Sequence, residues 1–390
     1  MATHMQHSPL KAAVSALGTR LLTAGDLSLL GQPRRALLVS RGERAPQPDT
    51  PWLLATLEAT RRLAAQDEVL VTGVGRTAFD AALWTCTQRQ GRAIVALEAA
   101  PAADGSWRDF LPVRHLLVWP KHGPRHRERS ARHQRDLLMG HLADRAYAIH
   151  VRTAGHMAEI AALLAHRRCP VEPWIIHGAK IHAGVGGLQQ MPALPHPTPP
   201  IGASWEYLTH YTREPDGAWP GEPRTEYLRW LCSGVPYTPR DAFAALCRIL
   251  SEKRIRACGR LMPRSTPMVC FTASQPAQMS PLRQWRRGLH RWAFTPYGVA
   301  VRKGKLVERG ARQVTYVSRN VLATAAPGTR EFMQPDHGDT LDWSTENEWR
   351  IAGDVDLTAF DPADVLALVA TEEEARRIHD TFGIGAHIIA

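Results

Sequence analysis

At 390 residues, 44% of them apolar and 22% charged, the chain is longer than one hydrophobic core usually organises and reads as a soluble protein of two domains. A formal charge of +11 favours polyanionic partners such as nucleotides, nucleic acids or anionic surfaces, and says nothing about fold. No stretch approaches the ~20 apolar residues of a membrane-crossing helix. The opening MATHMQHSPLKAAVSALGTR lacks the apolar core of a signal peptide, and Cys86, Cys169, Cys232, Cys247, Cys258 and Cys270 show no CxxC spacing. No membrane partner, disulfide framework or metal site is expected, and the thiols fit a cytoplasmic protein.

Residues 1–35 read as an N-terminal helical extension. From Ala36 short apolar runs alternate with amphipathic segments: strand 36–40, helix 50–65, strand 68–73, helix 77–90, strand 93–98, then strands at 116–119, 146–151 and 171–176 with helices at 130–143 and 156–167. That alternation is the pattern of buried parallel strands with crossover helices, so 36–183 is expected to be a doubly wound α/β domain. GVGGLQQMPALPHPTPPIGAS, 184–204, is too rich in Gly and Pro for a helix or an inner strand and is taken as a linker. In 205–390 strands follow one another without intervening helices: a helix at 239–253, a strand at 267–271, a β pair at 297–318 turned near Gly304, and strands at 348–351 and 365–370. This predicts an α+β domain with a largely antiparallel sheet. TEEEARRIHDTF, 371–382, reads as a helix capped by Thr371 with acids in its first turn.

Two stretches of the first half suggest a phosphate site. VLVTGVGRTAFD runs a strand into Gly73 and Gly75 before a helix, where glycine allows close backbone approach and free N–H groups favour an anion. RHQRDLLMGHLADRAYAIHVRTAGHMAEIAALL places Arg132 and Arg135 on one helix, then a strand, then Gly155 at a turn with Glu159 one helical turn later. PKHGPRHRERSARHQR, 120–135, is strongly basic at the carboxyl side of a strand and is either a solvated face or a phosphate-gathering loop.

These residues resemble the SLOG superfamily of Rossmann-like proteins, which includes the DNA-processing protein A family and the Lonely Guy phosphoribohydrolases, over about 36–180. The resemblance implies a nucleotide site in which Arg135, Gly155 and Glu159 take the family's Arg, Gly and Glu positions and Gly73, Gly75 and Asp80 the earlier turn. Thr153-Ala154-Gly155 stands where the hydrolases have a double glycine, and Asp136 stands where a lysine usually follows the arginine. The resemblance thus implies binding more than hydrolysis. The competing reading is an α/β domain whose Arg and Glu form only a surface ion pair.

In the second half, YLTHYTR (207–213), FTPYGVAV (294–301) and STENEWRI (344–351) put His210, Tyr297 and Glu348 on three separate strands. The trio resembles the ADP-ribosyltransferase fold, and HYT with a late ExEWR segment is similar to abortive-infection proteins. That resemblance implies NAD as co-substrate, His210 and Glu348 on its riboses and Tyr297 stacked on nicotinamide. Thr212 and Glu346 are expected beside them as cofactor-binding residues, and Arg213, which has no fixed counterpart in the family, as a charge on the pyrophosphate. A fixed carboxylate there stabilises the positive charge that develops as nicotinamide leaves. The plain alternative pairs Glu348 with Arg350 and lets Tyr297 simply pack. RQWRRGLHRW, 283–292, is either an aromatic and cationic nucleic-acid contact or an amphipathic helix.

Taken together, the sequence suggests a nucleotide-sensing domain joined to an NAD-dependent ADP-ribosyltransferase, as in a bacterial antiphage or toxin effector, with a nucleic-acid or protein acceptor and oligomerisation left open. The alternatives are a non-catalytic DNA-binding protein and a nucleotide phosphoribohydrolase.

Overall fold

The computed structural model describes residues 8–40, 46–102, 105–121, 128–174, 205–215, 217–233, 239–259, 262, 266–282, 285–286, 291–326, 328–336 and 346–389. The expected linker at 184–204 lies outside them. Contacts divide the chain into two compact units, Met1–Gly187 with Glu222–Tyr237, and Leu188–Gly221 with Thr238–Ala390.

The first unit contains α1 (Ser8–Leu17), β1 (Leu21–Gly25), β2 (Arg34–Val39), α2 (Pro51–Ala65), β3 (Val69–Thr72), α3 (Thr77–Gln88), β4 (Arg92–Ala96), β5 (Arg114–Pro120), α4 (Glu128–Leu142), β6 (Arg145–His150), α5 (His156–His166), β7 (Val171–Pro173) and α6 (Arg224–Ser233). Its sheet runs β1-β5-β4-β3-β2-β6-β7. Every pairing is parallel except that of β1 with β5. The fold is therefore a Rossmann-like α/β domain, as the alternation predicted. Strands β2 and β3 are buried at every residue, which is why 36–39 and 69–71 read as continuous apolar runs rather than as alternations, although β2 begins with the buried Arg34 and Arg35. One face packs Leu10, Leu138, Met139, Ile160 and Leu164 of α1, α4 and α5 against Leu38, Val71, Ile94 and Val118. Strand order reverses between β2 and β6, and by the general rule for open α/β sheets a ligand crevice forms at the carboxyl ends near such a reversal.

Residues 8–35 depart from the expected helical extension. After α1 the chain forms β1, which closes one edge of the sheet antiparallel to β5. A second departure is α6, drawn from the half of the chain expected to form one continuous domain. It packs on α3 and buries Tyr227, Leu228, Leu231 and Cys232.

The second unit contains β8 (Tyr207–Tyr211), α7 (Ala242–Glu252), β9 (Arg254–Ile255), β10 (Met268–Thr272), β11 (Trp285–Arg286), β12 (Arg291–Trp292), β13 (Gly298–Arg302), α8 (Lys303–Glu308), β14 (Arg312–Gln313), β15 (Thr315–Val317), α9 (Arg319–Thr324), β16 (Met333–Pro335), β17 (Glu348–Ala352), β18 (Val355–Asp356), β19 (Val365–Val369), α10 (Glu372–Phe382) and β20 (Gly385–Ile388). Its main sheet runs β14-β17-β10-β8-β13-β19-β20 and is antiparallel except for β19 with β20. This is the α+β arrangement expected.

The hairpin expected over 297–318 does not form. Residues after β13 turn into α8, whose Leu306 joins the core, and β14 pairs with β17 instead of β13. Of 283–292, the described residues 285–286 and 291–292 pair as a two-stranded ribbon, β11 with β12, where an amphipathic helix was one expectation; 283–284 and 287–290 lie outside the described residues. The predicted helix at 371–382 carries a full capping box, Thr371 with Glu374.

Candidate functional site

At the carboxyl edge of the first sheet, β3 ends in Gly73, Val74 and Gly75, and α3 begins at Thr77. A Cβ on Gly73 would lie 3.0 Å from Cδ of Arg135 and 3.1 Å from the Phe79 ring, so glycine is what lets the Arg135 side chain pass beneath the turn. Gly75 has φ +82°, and its amide donates to Oδ1 of Asp80 at 2.9 Å. The other oxygen of Asp80 accepts from Arg224 of α6 at 2.8 Å. Burial pushes the Asp80 carboxyl up, against the pull of Arg224 and the Gly75 amide.

Arg135 is 2% exposed and Asp136 0%. The Arg135 guanidinium donates to the Val74 carbonyl (2.9 Å), to Oε1 of Glu98 (2.7 Å) and twice to Oδ1 of Asp136 (3.0 and 2.8 Å). Oδ2 of Asp136 faces Arg76 at 3.0 Å and Nδ1 of His156 at 2.9 Å. One buried carboxylate therefore gathers donors from α4, from the residue before α3 and from the first residue of α5. Burial lowers the Arg76 pKa, and the nearby Arg135 and Arg132 add to the effect while Asp136 opposes it. The ring of His133 stacks on that of His156, with centroids 4.6 Å apart, and its Nε2 lies 2.6 Å from Glu159.

Gly155 takes φ +102°, and nothing stands within 4 Å of where its Cβ would be. Neither α3 nor α5 has a side chain capping its N-terminus. Their first amide donors thus start at the edge of the sheet where a ligand crevice is expected.

The structure brings Gly73, Gly75, Asp80 and Arg135 together and connects them to Gly155 and Glu159 through Asp136, His156 and His133. Arg135 itself is corrected from ligand contact to scaffold, because its guanidinium is buried and bound under the turn. The sequence reading missed Arg76, His133, His156 and Arg224 as members of the cluster and took Asp136 only as a departure from a family pattern. An acid directly following a helical arginine was the available signal. Of the basic run 120–135, residues 122–127 lie outside the described residues.

In the second unit the trio does not converge. Gly298 pairs with Tyr211 and Val299 with His210, so Tyr297, which precedes them, shares a face with His210. Glu348 pairs with Thr272, and Thr272 with Thr209, which puts Glu348 on the face opposite His210 and two strands away, roughly 9–10 Å in strand spacing. Glu348 makes a two-point contact with Arg350 at 2.8 and 2.9 Å, the pairing that the plain alternative anticipated.

His210 is half-buried; its Nδ1 lies 2.9 Å from the Cys270 carbonyl and its ring is edge-on to Phe271. Burial pushes the imidazole down to about 4, with Arg213 adding to the effect and the Cys270 carbonyl opposing it. The Tyr297 hydroxyl donates to Glu374 at 2.9 Å and its ring tilts against Phe243; burial first, then Glu374, pushes the phenol up. Thr212 is buried, and its hydroxyl donates to the Ala242 carbonyl, an anchoring role rather than a contact facing a cofactor. Arg213 is exposed. Glu346 receives the Thr272 hydroxyl on its backbone carbonyl. Among the described residues no group of three or more His, Cys, Asp or Glu is arranged to hold a metal, and no helix is long and apolar enough to cross a membrane.

The sequence matches no protein-family model and no curated protein. Part of the chain is similar to DNA processing protein A from Streptococcus pneumoniae, at 18% identity and TM-score 0.34 over 42% of this chain and 56% of that one. Another similar structure is DNA processing protein A from Helicobacter pylori, described in a single-stranded DNA binding mode, at 17% identity and TM-score 0.32 over 39% and 70% of the two chains. A molybdenum cofactor binding protein from Rippkaea orientalis aligns at 15% identity and TM-score 0.28 over 36% and 76%. The chain spans just over half the length of the first of these.

Proposed function

We propose that the first unit binds a phosphate-bearing nucleotide at the carboxyl edge of its parallel sheet, between the Gly73–Gly75 turn and Gly155. The observation that carries this reading is the arrangement around Asp136. A fully buried carboxylate holds Arg135, Arg76 and His156 in place beneath two positive-φ glycines, each shortly before an uncapped helix start. Preset donors of this kind favour an anion without reorganising to meet it. Glycine at Gly155, with open space beside it, leaves room for a phosphate to approach the backbone.

Titration calorimetry with the nucleoside 5′-mono- and diphosphates tests the proposal. Saturable binding is expected, weakened about tenfold or more by Arg76→Ala, which removes a charge-assisted donor. A protein that binds none of these ligands refutes it.

NAD-dependent ADP-ribosyl transfer by the second unit is the second reading, within a defence or toxin role. What supports it is the seam between β8 and β10. A single ladder pair, Thr272 with Thr209, joins the two strands, and the His210 side chain lies against the Cys270 carbonyl at that seam. One dinucleotide would need an opening of this seam to meet His210 and Tyr297 on one face and Glu348 on the other. Nicotinamide release from NAD, lost in Glu348→Gln, is the expected result. Absence of both nicotinamide release and label transfer to DNA, RNA or protein removes this reading and leaves the first untouched.

A further inference from the structure

The two histidines at the edge of the first sheet are held in a way that nucleotide binding alone does not require. Asp136 is fully buried, and its Oδ2 accepts from Nδ1 of His156 at 2.9 Å. A carboxylate only accepts, so the hydrogen sits on Nδ1, and Nε2 is left at the other end of the ring. The imidazole is fixed in plane as well, because His133 stacks on it at 4.6 Å with 18° between the rings, and His133 is itself tethered to Glu159 at 2.6 Å. The His156 side chain keeps 28% of its exposure, and it is the first residue of α5, directly after the open Gly155.

Among the described residues the charged groups gathered about this imidazole and Asp136 are Arg132, His133 and Arg135 of α4, Arg76 before α3, Glu98 after β4, and Glu159 on α5 itself. Asp136 is shared by three donors and occupies the Nδ1 end of the ring, so the partly exposed Nε2 end is the one open to a ligand.

We propose that Nε2 of His156 binds the terminal phosphate of the ligand and that the complex holds one proton between them, making His156 the residue that selects phosphate monoesters. The inference rests on the nucleotide reading of this site. A monoester loses its second proton near pH 6, at roughly the pH where imidazoles change charge. Well above that pH the free ligand is a dianion, so a complex held by N–H···O–P carries one proton more than the ligand brings. The bond is the same whether that proton is counted on nitrogen or on oxygen. A phosphodiester brings no second titrating oxygen and binds less well.

The experiment is calorimetric titration of the full chain with adenosine 5′-monophosphate at pH 6, 7 and 8, each in two buffers of different ionisation enthalpy. Cyclic 3′,5′-adenosine monophosphate serves as the diester, and His156→Gln and His133→Gln as variants whose folding is checked by thermal unfolding. The expected result is uptake of about one proton per ligand at pH 8, and affinity falling about tenfold per pH unit between 7 and 8. The cyclic nucleotide binds more weakly, and the slope is flat in His156→Gln but kept in His133→Gln. Binding without proton uptake, equal affinity for the diester, or a slope that survives in His156→Gln overturns the role of His156 while leaving the nucleotide site standing. If neither adenosine monophosphate nor any other nucleoside mono- or diphosphate binds, the nucleotide reading falls and this one with it. The proton count is made on the unsubstituted protein, so it decides the matter even if the variants fail to fold.

Discussion

Asp136 and Glu348 are both acids held by arginine, yet they sit in opposite kinds of place. Asp136 is met by its neighbour Arg135 on α4 and also by Arg76 and His156 from two elements far away in sequence, beneath the turns where a ligand is expected. Glu348 is met by Arg350, two residues along its own strand, on a face of the sheet that His210 and Tyr297 do not share. A converging set of charges has to be organised by the fold, whereas an i, i+2 pair follows from strand geometry alone. The first arrangement is therefore the stronger pointer to function.

Substitution measures that contrast. Asp136→Asn removes the buried carboxylate charge shared by buried Arg135 and half-buried Arg76, and is expected to cost about 3–5 kcal/mol of first-unit stability by denaturant titration. A loss under ~1 kcal/mol would show that the cluster is not the keystone of that edge.

Acid titration comes next. His210 is held down to about 4 against an ordinary value of 6.5, so the unfolded chain binds its proton first. Stability from this group is intact above pH 6.5, falls as pH drops toward 4 by up to about 3 kcal/mol, and levels off below. His210→Asn should flatten that stretch of the pH–stability curve.

Glu348→Gln is expected to cost less, about 1–2 kcal/mol, because Arg350 keeps the Glu331 and Met333 carbonyls and Gln334. A cost matching that of Asp136→Asn would erase the distinction between the two acids. The smallest effect is Thr371→Ala at the capping box of α10, about 1 kcal/mol by the same measurement.

Much of the first unit was legible in the sequence because its strands are buried on both faces and its helices are amphipathic, so apolar runs and glycine turns mark nearly every element from β2 to α5. β1 was not legible, since an edge strand half open to solvent has no continuous apolar run; its burial alternates between intermediate and exposed. In the second unit the strands were found but not all of their pairings. The hairpin expected at 297–318 failed because α8 lies between β13 and β14, and register, which decides which side chains share a face, is set by partners distant in sequence. For the same reason His210, Tyr297 and Glu348 looked like one set. Gly73, Gly75, Arg135 and Gly155 were legible as a group, whereas His133 and His156 were not, because only the fold stacks two rings twenty-three positions apart.

The docking of α6 on α3 bears on how the protein can be taken apart. The chain passes between the two units after Gly187, after Gly221 and after Tyr237. A fragment ending in the Gly- and Pro-rich stretch loses α6, strips the apolar cover from α3 and leaves Asp80 without Arg224. Gene fusion or exchange at that point would not yield a self-sufficient first unit. An excised version has to carry 222–237 with it, grafted after the last strand of the first sheet.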